Sequence, residues 1–300
     1  MPSLKPAFSS VNICCACDEK YAFPLAVSLY SMLENANKKR YYDIIILHSS
    51  IPSESREPLE KLGDHFPNCS VRFADMTEFR GRVKNAENSY ITAETNYRLA
   101  VLGELFANYD RLIYIDCDTI TEGDISKLFD TDLEGNAVGG APASDVRLLC
   151  LTKKGFFIDG IPYNVEDYAV RFMGLKEPER YFNAGVLLFD LKKCRELTSE
   201  KEAVELLNRR KWMYNDQDVL NMLFSDSLYL LDIKWNYTVN IESGMNFRDP
   251  AVTKLMKSFR RSEYGIIHYS GKAKPWSYDV PMREHYLKYE NKFKEVILCQ

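Results

Sequence analysis

Short uninterrupted apolar runs alternate with stretches of helical spacing through the first half of the chain. Val11 to Cys17 (VNICCAC) reads as a strand buried on both faces, as do Asp43 to His48 (DIIILH), Ser70 to Ala74 and Leu112 to Ile115 (LIYI). Amphipathic segments lie between them. Pro24 opens one that runs to about Glu34, because proline is favoured at a first helical position. Ser53 to Leu62 forms a second, with Ser53 as its N-cap, and Thr92 to Ala107 a third, in which Tyr97, Ala100, Val101 and Leu105 share a face. Apolar strands separated by helices predict an α/β fold with a mostly parallel sheet covered on both faces.

The second half continues with predicted strands at Ala137 to Ala141, Gly185 to Asp190, Leu228 to Leu231 and Gly265 to Tyr269. Helices are expected over Lys192 to Arg209, Asp216 to Phe224 and Pro281 to Lys294. Asp145 to Arg180 is poorer in pattern and holds Lys153, Lys154, Gly155, Gly160 and Pro162. It reads as a long insertion over one end of the sheet, where functional loops gather. The final helix mixes Arg283, Glu284, Lys288, Glu290, Lys292, Lys294 and Glu295, which suits a solvated packing helix rather than a membrane anchor.

Composition narrows the function classes. With 300 residues, 46% apolar and 27% charged, the chain is an ordinary globular one, which rules out a disordered or disulfide-scaffold reading. The net charge, 39 − 43 = −4, gives no field to hold nucleic acid or an anionic membrane, so an anionic ligand must be met by a few placed cations or a metal. No apolar run approaches the roughly 18 residues of a membrane span. The leading segment MPSLKPAFSS has no signal-peptide core, so a cytoplasmic protein is expected. Most of the eight cysteines sit in apolar runs. Cys14 and Cys17 form C-x-x-C inside a buried strand, without the second pair or following helix start that a zinc or redox site needs. All eight are expected to be reduced.

Several segments carry candidate chemistry. In DRLIYIDCDTI a buried strand ends at Ile115 and delivers Asp116 and Asp118, which can aim two carboxylates at one hard cation such as Mn²⁺ or Mg²⁺, or can serve as turn formers or helix caps. In IIHYSGKAKPW, His268 follows a strand as a metal ligand or a core histidine. Gly271 permits close backbone approach, Lys272 and Lys274 offer charge to phosphate, and Trp276 packs on the turn. Asn183 in RYFNAGVLLFDL is a sugar ligand or a turn cap. In NDQDVLN, Asp216 is a cap or a site residue, and the Gln217 amide is free to touch a ligand. Arg98, on the apolar face beside Tyr97, needs a buried anionic partner.

Taken in order, ACDEKYAFPLAVSLYSMLEN, YRL, YIDCDTI, YFNAGVLLFDL, NDQDVLN and HYSGKAKPW resemble glycosyltransferase family 8, in its bacterial branch that builds lipopolysaccharide and other surface glycans. The likeness runs from about Asn12 to Trp276, and the H-x-x-G-x-x-K-P-W segment makes it specific. It implies a GT-A fold over residues 1–276 with residues 277–300 as a C-terminal helix packed on it. It further implies a UDP-sugar donor (UDP-glucose or UDP-galactose), a saccharide or glycolipid acceptor, Mn²⁺ with Mg²⁺ as the alternative, and retention at the anomeric carbon. Nucleic acid is not an expected partner, and membrane contact is at most peripheral, at the inner face of the plasma membrane. By the same resemblance, Asp116, Asp118 and His268 hold the metal. Ala16, Cys17 and Asp18 meet the uracil and ribose, with Cys117 between the two aspartates and its thiol turned away. Arg98 reaches the donor, Asn183, Asp216 and Gln217 surround the transferred sugar, Gly271 and Lys274 bind the diphosphate, and Asp145 contacts donor or acceptor sugar.

The resemblance places an amide, Gln217, behind the sugar. An amide is a poor nucleophile, which favours attack by the acceptor on the leaving-group face over double displacement. Other readings are a nucleotidyltransferase or metal-dependent phosphohydrolase, a glycogenin-like self-glucosylating protein, and a non-catalytic nucleotide-sugar-binding protein. A nucleotidyltransferase would carry a Gly-rich basic loop after the first strand, and CDEKYAFP has no glycine.

Overall fold

The computed structural model describes residues 3–7, 9–84, 93–153, 155–244 and 248–299. Twelve strands are found among them: β1 (Ser10–Ala16), β2 (Tyr41–His48), β3 (Cys69–Asp75), β4 (Arg111–Ile115), β5 (Thr119–Thr121), β6 (Val138–Pro142), β7 (Gly155–Ile158), β8 (Ile161–Asn164), β9 (Phe182–Asp190), β10 (Leu228–Leu230), β11 (Tyr237–Thr238) and β12 (Ile266–His268). The main sheet has seven strands in the order β10-β6-β9-β4-β1-β2-β3. All run parallel to their neighbours except β9, which is antiparallel to β4 and β6. A small sheet, β11-β12-β5, lies apart from it, and β7 and β8 form a hairpin.

The alternation along each strand sorts the core into two layers. Val11, Ile13 and Cys15 of β1 join Ile44 and Ile46 of β2 and Ile113 and Ile115 of β4 on one face, with Leu25, Leu29, Leu59 and Leu62 from the covering helices. Cys14 and Ala16, Ile45 and Leu47, and Leu112 and Tyr114 face the other way, onto Leu99, Val101, Leu191, Val219 and Leu220. Tyr286, Tyr289 and Phe293 of the helix Arg283–Phe293 belong to the first layer. Each is essentially fully buried, which stabilises by about 1.5–3 kcal/mol per side chain. No helix among the described residues is long and apolar enough to cross a membrane.

Several boundaries differ from the sequence expectation. The first helix is Glu19–Asn35. Its N-cap is Asp18, which accepts from the Tyr21 amide at 2.9 Å, and Pro24 sits more than a turn inside. Ser53 is the first residue of its helix, Ser53–His65, and makes no capping bond. Ala93–Leu102 and Glu104–Phe106 are 3₁₀ turns rather than one α-helix, and the expected start at Thr92 lies outside the described residues, as does Lys154. The expected helix Lys192 to Arg209 is two helices, Leu191–Leu197 and Glu200–Arg209. Thr198 is extended between them, and Ser199 opens the second with a capping box to Glu202. The 145–180 segment is no bare insertion. It contains the helix Ser144–Thr152 and the β7–β8 hairpin, and Val165, Tyr168, Ala169 and Met173 are buried in the second core layer.

Candidate active site

Strands β1 and β4 are adjacent, yet the chain leaves β1 toward β2 on its other side. Their carboxyl ends therefore open a crevice, the usual ligand position in an open α/β sheet. Because β9 is antiparallel, its amino end, with Asn183 and Gly185, reaches the same edge, and the Asp116 amide donates to the Gly185 carbonyl at 2.8 Å. The cleft there has a volume of about 880 Å³, ample for a nucleotide sugar. The residues expected to hold donor or metal, from Ala16, Cys17 and Asp18 to Gly271 and Lys274, all line it, whereas Trp276 does not.

Asp116, Asp118 and His268 each present one ligand atom, all within 4.8 Å of one another. His268 Nε2 is 3.2 Å from Asp118 Oδ1 and 3.9 Å from Asp116 Oδ2. The cluster is not assembled by direct pairing of the strands that carry Ile115 and Ile267. Ile115 pairs with Val186, whereas Ile267 pairs with Ile120 in the small sheet. There β12 runs antiparallel to β5 with His268 opposite Thr119, so Asp118, one residue before β5, meets the ring. Space for the cluster is made by Gly185, where an added Cβ would lie 2.3 Å from His268 Cε1 and 2.9 Å from Asp116 Oδ2. Two carboxylates and an imidazole suit Mn²⁺ or Mg²⁺.

The cations are engaged by these carboxylates. Lys274 Nζ pairs with Asp118 and donates to the Tyr269 carbonyl at 3.0 Å. Burial pushes the Asp118 carboxyl up, but Lys274 and His268 outweigh it and hold it well below the usual range. Buried Arg98 finds its expected anionic partner twice. Nη2 is 2.9 Å from Asp116 Oδ1 and Nε 2.7 Å from Asp216 Oδ2, Nη1 donates to the Ala184 carbonyl, and the guanidinium lies over the Tyr114 ring. Asp216 is thus an ion-pair partner as well as the first residue of the helix Asp216–Phe224. Burial raises its pKa to about 7, with Arg98 opposing. The helix is aimed by Asn215, whose φ of 45° is a strained backbone for a residue other than glycine.

Gln217 is held at both ends: Oε1 accepts from the Ala184 amide at 3.0 Å and Nε2 donates to Tyr181 Oη at 3.1 Å. Behind it, Asp218, fully buried and not singled out from the sequence, accepts from Tyr181 at 2.6 Å, Tyr168 at 2.7 Å and the Tyr214 amide at 2.7 Å. Asp145, on the helix Ser144–Thr152, has a buried Oδ1 with no hydrogen-bond partner among the described residues. Burial pushes its carboxyl up, and backbone amides only partly offset this. Cys117 donates its thiol to the Ala16 carbonyl at 2.9 Å, and Cys17 to the Asp18 carbonyl at 3.3 Å. All eight cysteines are free. Gly271, at φ 96°, takes a conformation that favours glycine. Also unforeseen is Asn236, buried between Asn183 and His268, whose one sequence signal is an amide inside the aromatic run KWNYT.

Comparison with known proteins agrees with this architecture. The profile of Glycosyl transferase family 8 matches residues 12–280. General stress protein A of Bacillus subtilis is 24% identical over 93% of this chain and 92% of its own length. The lipopolysaccharide 1,2-glucosyltransferase of Escherichia coli K12 is 30% identical over 60% of this chain and 48% of its own. The crystal structure of the galactosyltransferase LgtC with donor and acceptor sugar analogues superposes with a TM-score of 0.73 at 25% identity, covering 94% of this chain and 96% of that one. The bifunctional glycosyltransferase WbbM superposes at 0.84 with 25% identity, covering 99% of this chain and about half (53%) of that enzyme. With the profile spanning β1 to the loop after β12, the chain belongs to glycosyl transferase family 8 and is a hexosyltransferase of GT-A fold.

Proposed function

We propose that the protein transfers glucose or galactose from a UDP-sugar to a glycan or glycolipid acceptor, with Mn²⁺ and with retention of anomeric configuration. The observation that carries this reading is the Asp116–Asp118–His268 cluster, facing Lys274 on one side and Asp216 and Gln217 on the other within one cleft. The donor set fits a divalent cation, which when bound supplies charge neutralisation to a diphosphate leaving group. Lys274 then exchanges its Asp118 partner for a diphosphate oxygen and stabilises the charge that develops as the anomeric C–O bond breaks. Arg98 keeps Asp116 and Asp216 in place. Asp216 and the Asn183 amide face the sugar, and Asp145 sits on the helix that walls the cleft's other side.

Both polar ends of Gln217 are tied to protein, so it positions the sugar rather than attacking it. The acceptor hydroxyl then adds to the anomeric carbon on the face UDP leaves, and its proton passes to the departing phosphate oxygen. The proposed place of action is the cytoplasm, with at most peripheral contact with the inner face of the plasma membrane. The test is UDP release from UDP-glucose, UDP-galactose and related donors, with Mn²⁺ and with EDTA. Release from one or both hexose donors, abolished by EDTA, is expected. No release with any UDP-sugar, or full activity in EDTA, overturns the reading. Intact mass after incubation with donor alone separates transfer to an external acceptor from self-glucosylation.

A further inference from the structure

Two buried amides and one imidazole form one chain across the floor of the cleft. Asn183 Oδ1 accepts from the Gly185 backbone amide at 2.9 Å and from Asn236 Nδ2 at 2.8 Å, and Asn236 Oδ1 lies 2.8 Å from His268 Nδ1. Asn236 is 1% exposed, His268 3% and Asn183 7%, so no exchange with water relaxes these assignments. A backbone N–H can only donate, and this settles the rest in sequence. The atom of Asn183 that meets Gly185 is the carbonyl oxygen, so the Asn236 group facing it is the NH₂. The other end of Asn236 is therefore the oxygen, and the ring nitrogen that faces it carries the proton.

We propose that Asn236 is a positioning residue that locks both arms of the site with one side chain. Through its oxygen it holds His268 as the Nδ1–H form, with the Nε2 lone pair turned to Asp116 and Asp118. Through its NH₂ it fixes Asn183 with the carbonyl inward and the amide NH₂ left for the cleft. The inference builds on the assignment of Asp116, Asp118 and His268 as cation ligands. An outer partner of this kind sets both the ring orientation and the ligand nitrogen. Asn236 ends the 3₁₀ turn Ile233–Asn236 and is followed by β11, whose Thr238 pairs with His268. Turn and histidine are thus held in one register.

The two arms separate by substitution. Asn236→Ala removes both. Asn236→Asp keeps an acceptor for His268 Nδ1–H but sets a carboxylate oxygen against Asn183 Oδ1, so Asn183 must give up either that contact or Gly185. Two readouts are needed: the histidine tautomer from long-range ¹H–¹⁵N correlation of metal-free protein at alkaline pH, and calorimetric affinity for Mn²⁺ with UDP and for UDP-sugar relative to UDP. In wild type the His268 resonance reports Nδ1–H. Asn236→Ala loses that single form and weakens Mn²⁺ binding roughly tenfold to a hundredfold. Asn236→Asp retains the tautomer and the Mn²⁺ affinity but loses the preference for UDP-sugar over UDP, as Asn183→Ala does. A folded Asn236→Ala with unchanged tautomer and Mn²⁺ affinity overturns the proposal, as does Asn236→Asp losing both arms or neither. If the alanine variant does not fold, the aspartate variant decides by the same criteria. If wild type binds no Mn²⁺, the cation assignment fails while the tautomer readout still decides the role of Asn236.

Discussion

Gly185 and His268 touch where no other residue type could stand: the position a Cβ would occupy on Gly185 is 2.3 Å from His268 Cε1 and 2.8 Å from Nδ1. The glycine's φ is unremarkable, so its role is space rather than conformation. Gly185→Ala should displace the ring from Asp116 and Asp118. The expected outcome is a loss of roughly 1–3 kcal/mol in stability, as for overpacking elsewhere in protein cores, together with at least about a tenfold loss in Mn²⁺-dependent UDP affinity. Unchanged UDP affinity by calorimetry would show that the ring does not need its observed place.

Lys274 makes a prediction with two signs. In the structure it neutralises Asp118, and in the proposed reaction it turns from Asp118 to the donor diphosphate. Lys274→Ala should cost one charge-assisted hydrogen bond to UDP, about 1.5–3 kcal/mol, or roughly tenfold to a hundredfold in affinity. The same change removes a competing cation from Asp118, so binding of Mn²⁺ alone should tighten. Titration of metal without UDP, then of UDP with metal, reads both signs. If both affinities fall together, Lys274 supports the site's shape rather than its charge.

Much of this was legible in the chain because the relevant signals are local. The apolar runs at Val11, Asp43 and Leu112 mark central strands, the two aspartates and His268 fall at strand ends where ligands collect, and Lys274 lies in the loop that follows β12. What escaped reading depends on partners distant in sequence. Nothing in GVLLFD tells that β9 runs against β4 and β6, and a three-residue strand such as β5 has too few positions to show a period. The pairing of β5 with β12 was therefore invisible, and with it the true route by which His268 meets Asp118. At the first helix two start signals competed. Asp18 won over Pro24 because an acidic side chain satisfies a free amide, while proline merely tolerates the lack of one. Asp218 carries no local signature and Asn236 only an amide in an aromatic run, since a buried amide or carboxylate has meaning only through what faces it.

Gln217, with both ends tied, predicts the stereochemical outcome. Transfer from an α-linked UDP-sugar should give an α-linked product by proton NMR. Gln217→Ala should slow turnover while leaving UDP affinity near the wild-type value, because the side chain of Gln217 bonds to Ala184 and Tyr181 rather than to Lys274. A β-linked product would rule out attack on the leaving-group face.

Thiol accessibility follows from burial. Cys299 is exposed and Cys150 half-buried, whereas the other six lie in the core. A thiol reagent should label Cys299 at once and Cys150 more slowly in native protein. All eight should react after unfolding without reductant. Fewer than eight in freshly prepared, unoxidised protein would reveal a disulfide and contradict the buried-thiol reading.

The last prediction concerns how the C-terminal helix is held. Glu122 follows β5, and its carboxylate takes His285 Nδ1 at 2.7 Å, Tyr289 Oη at 2.8 Å and Lys288 Nζ at 3.2 Å, all from the helix Arg283–Phe293. Tyr289 also accepts from Asn35 at 2.7 Å on the first helix. Burial alone would raise the Glu122 pKa, but the three donors outweigh it and bring it from 4.5 down to about 2. A carboxylate lowered on folding stabilises above its unfolded value, and that stability drains away as the pH falls from 4.5 to about 2. The full shift overstates the gain because the donors are partly solvated, so about 1–2 kcal/mol is expected at neutral pH. Glu122→Gln should lower the unfolding free energy obtained from urea titration by that amount at neutral pH, and its stability should meet that of wild type as the pH approaches 2. A constant offset across this range would mean that Glu122 acts through packing rather than charge. The anchor is joined to Asp118 by the short strand β5 (Thr119–Thr121), so loosening it should also be felt as weaker Mn²⁺-dependent UDP binding, to a lesser degree than Gly185→Ala.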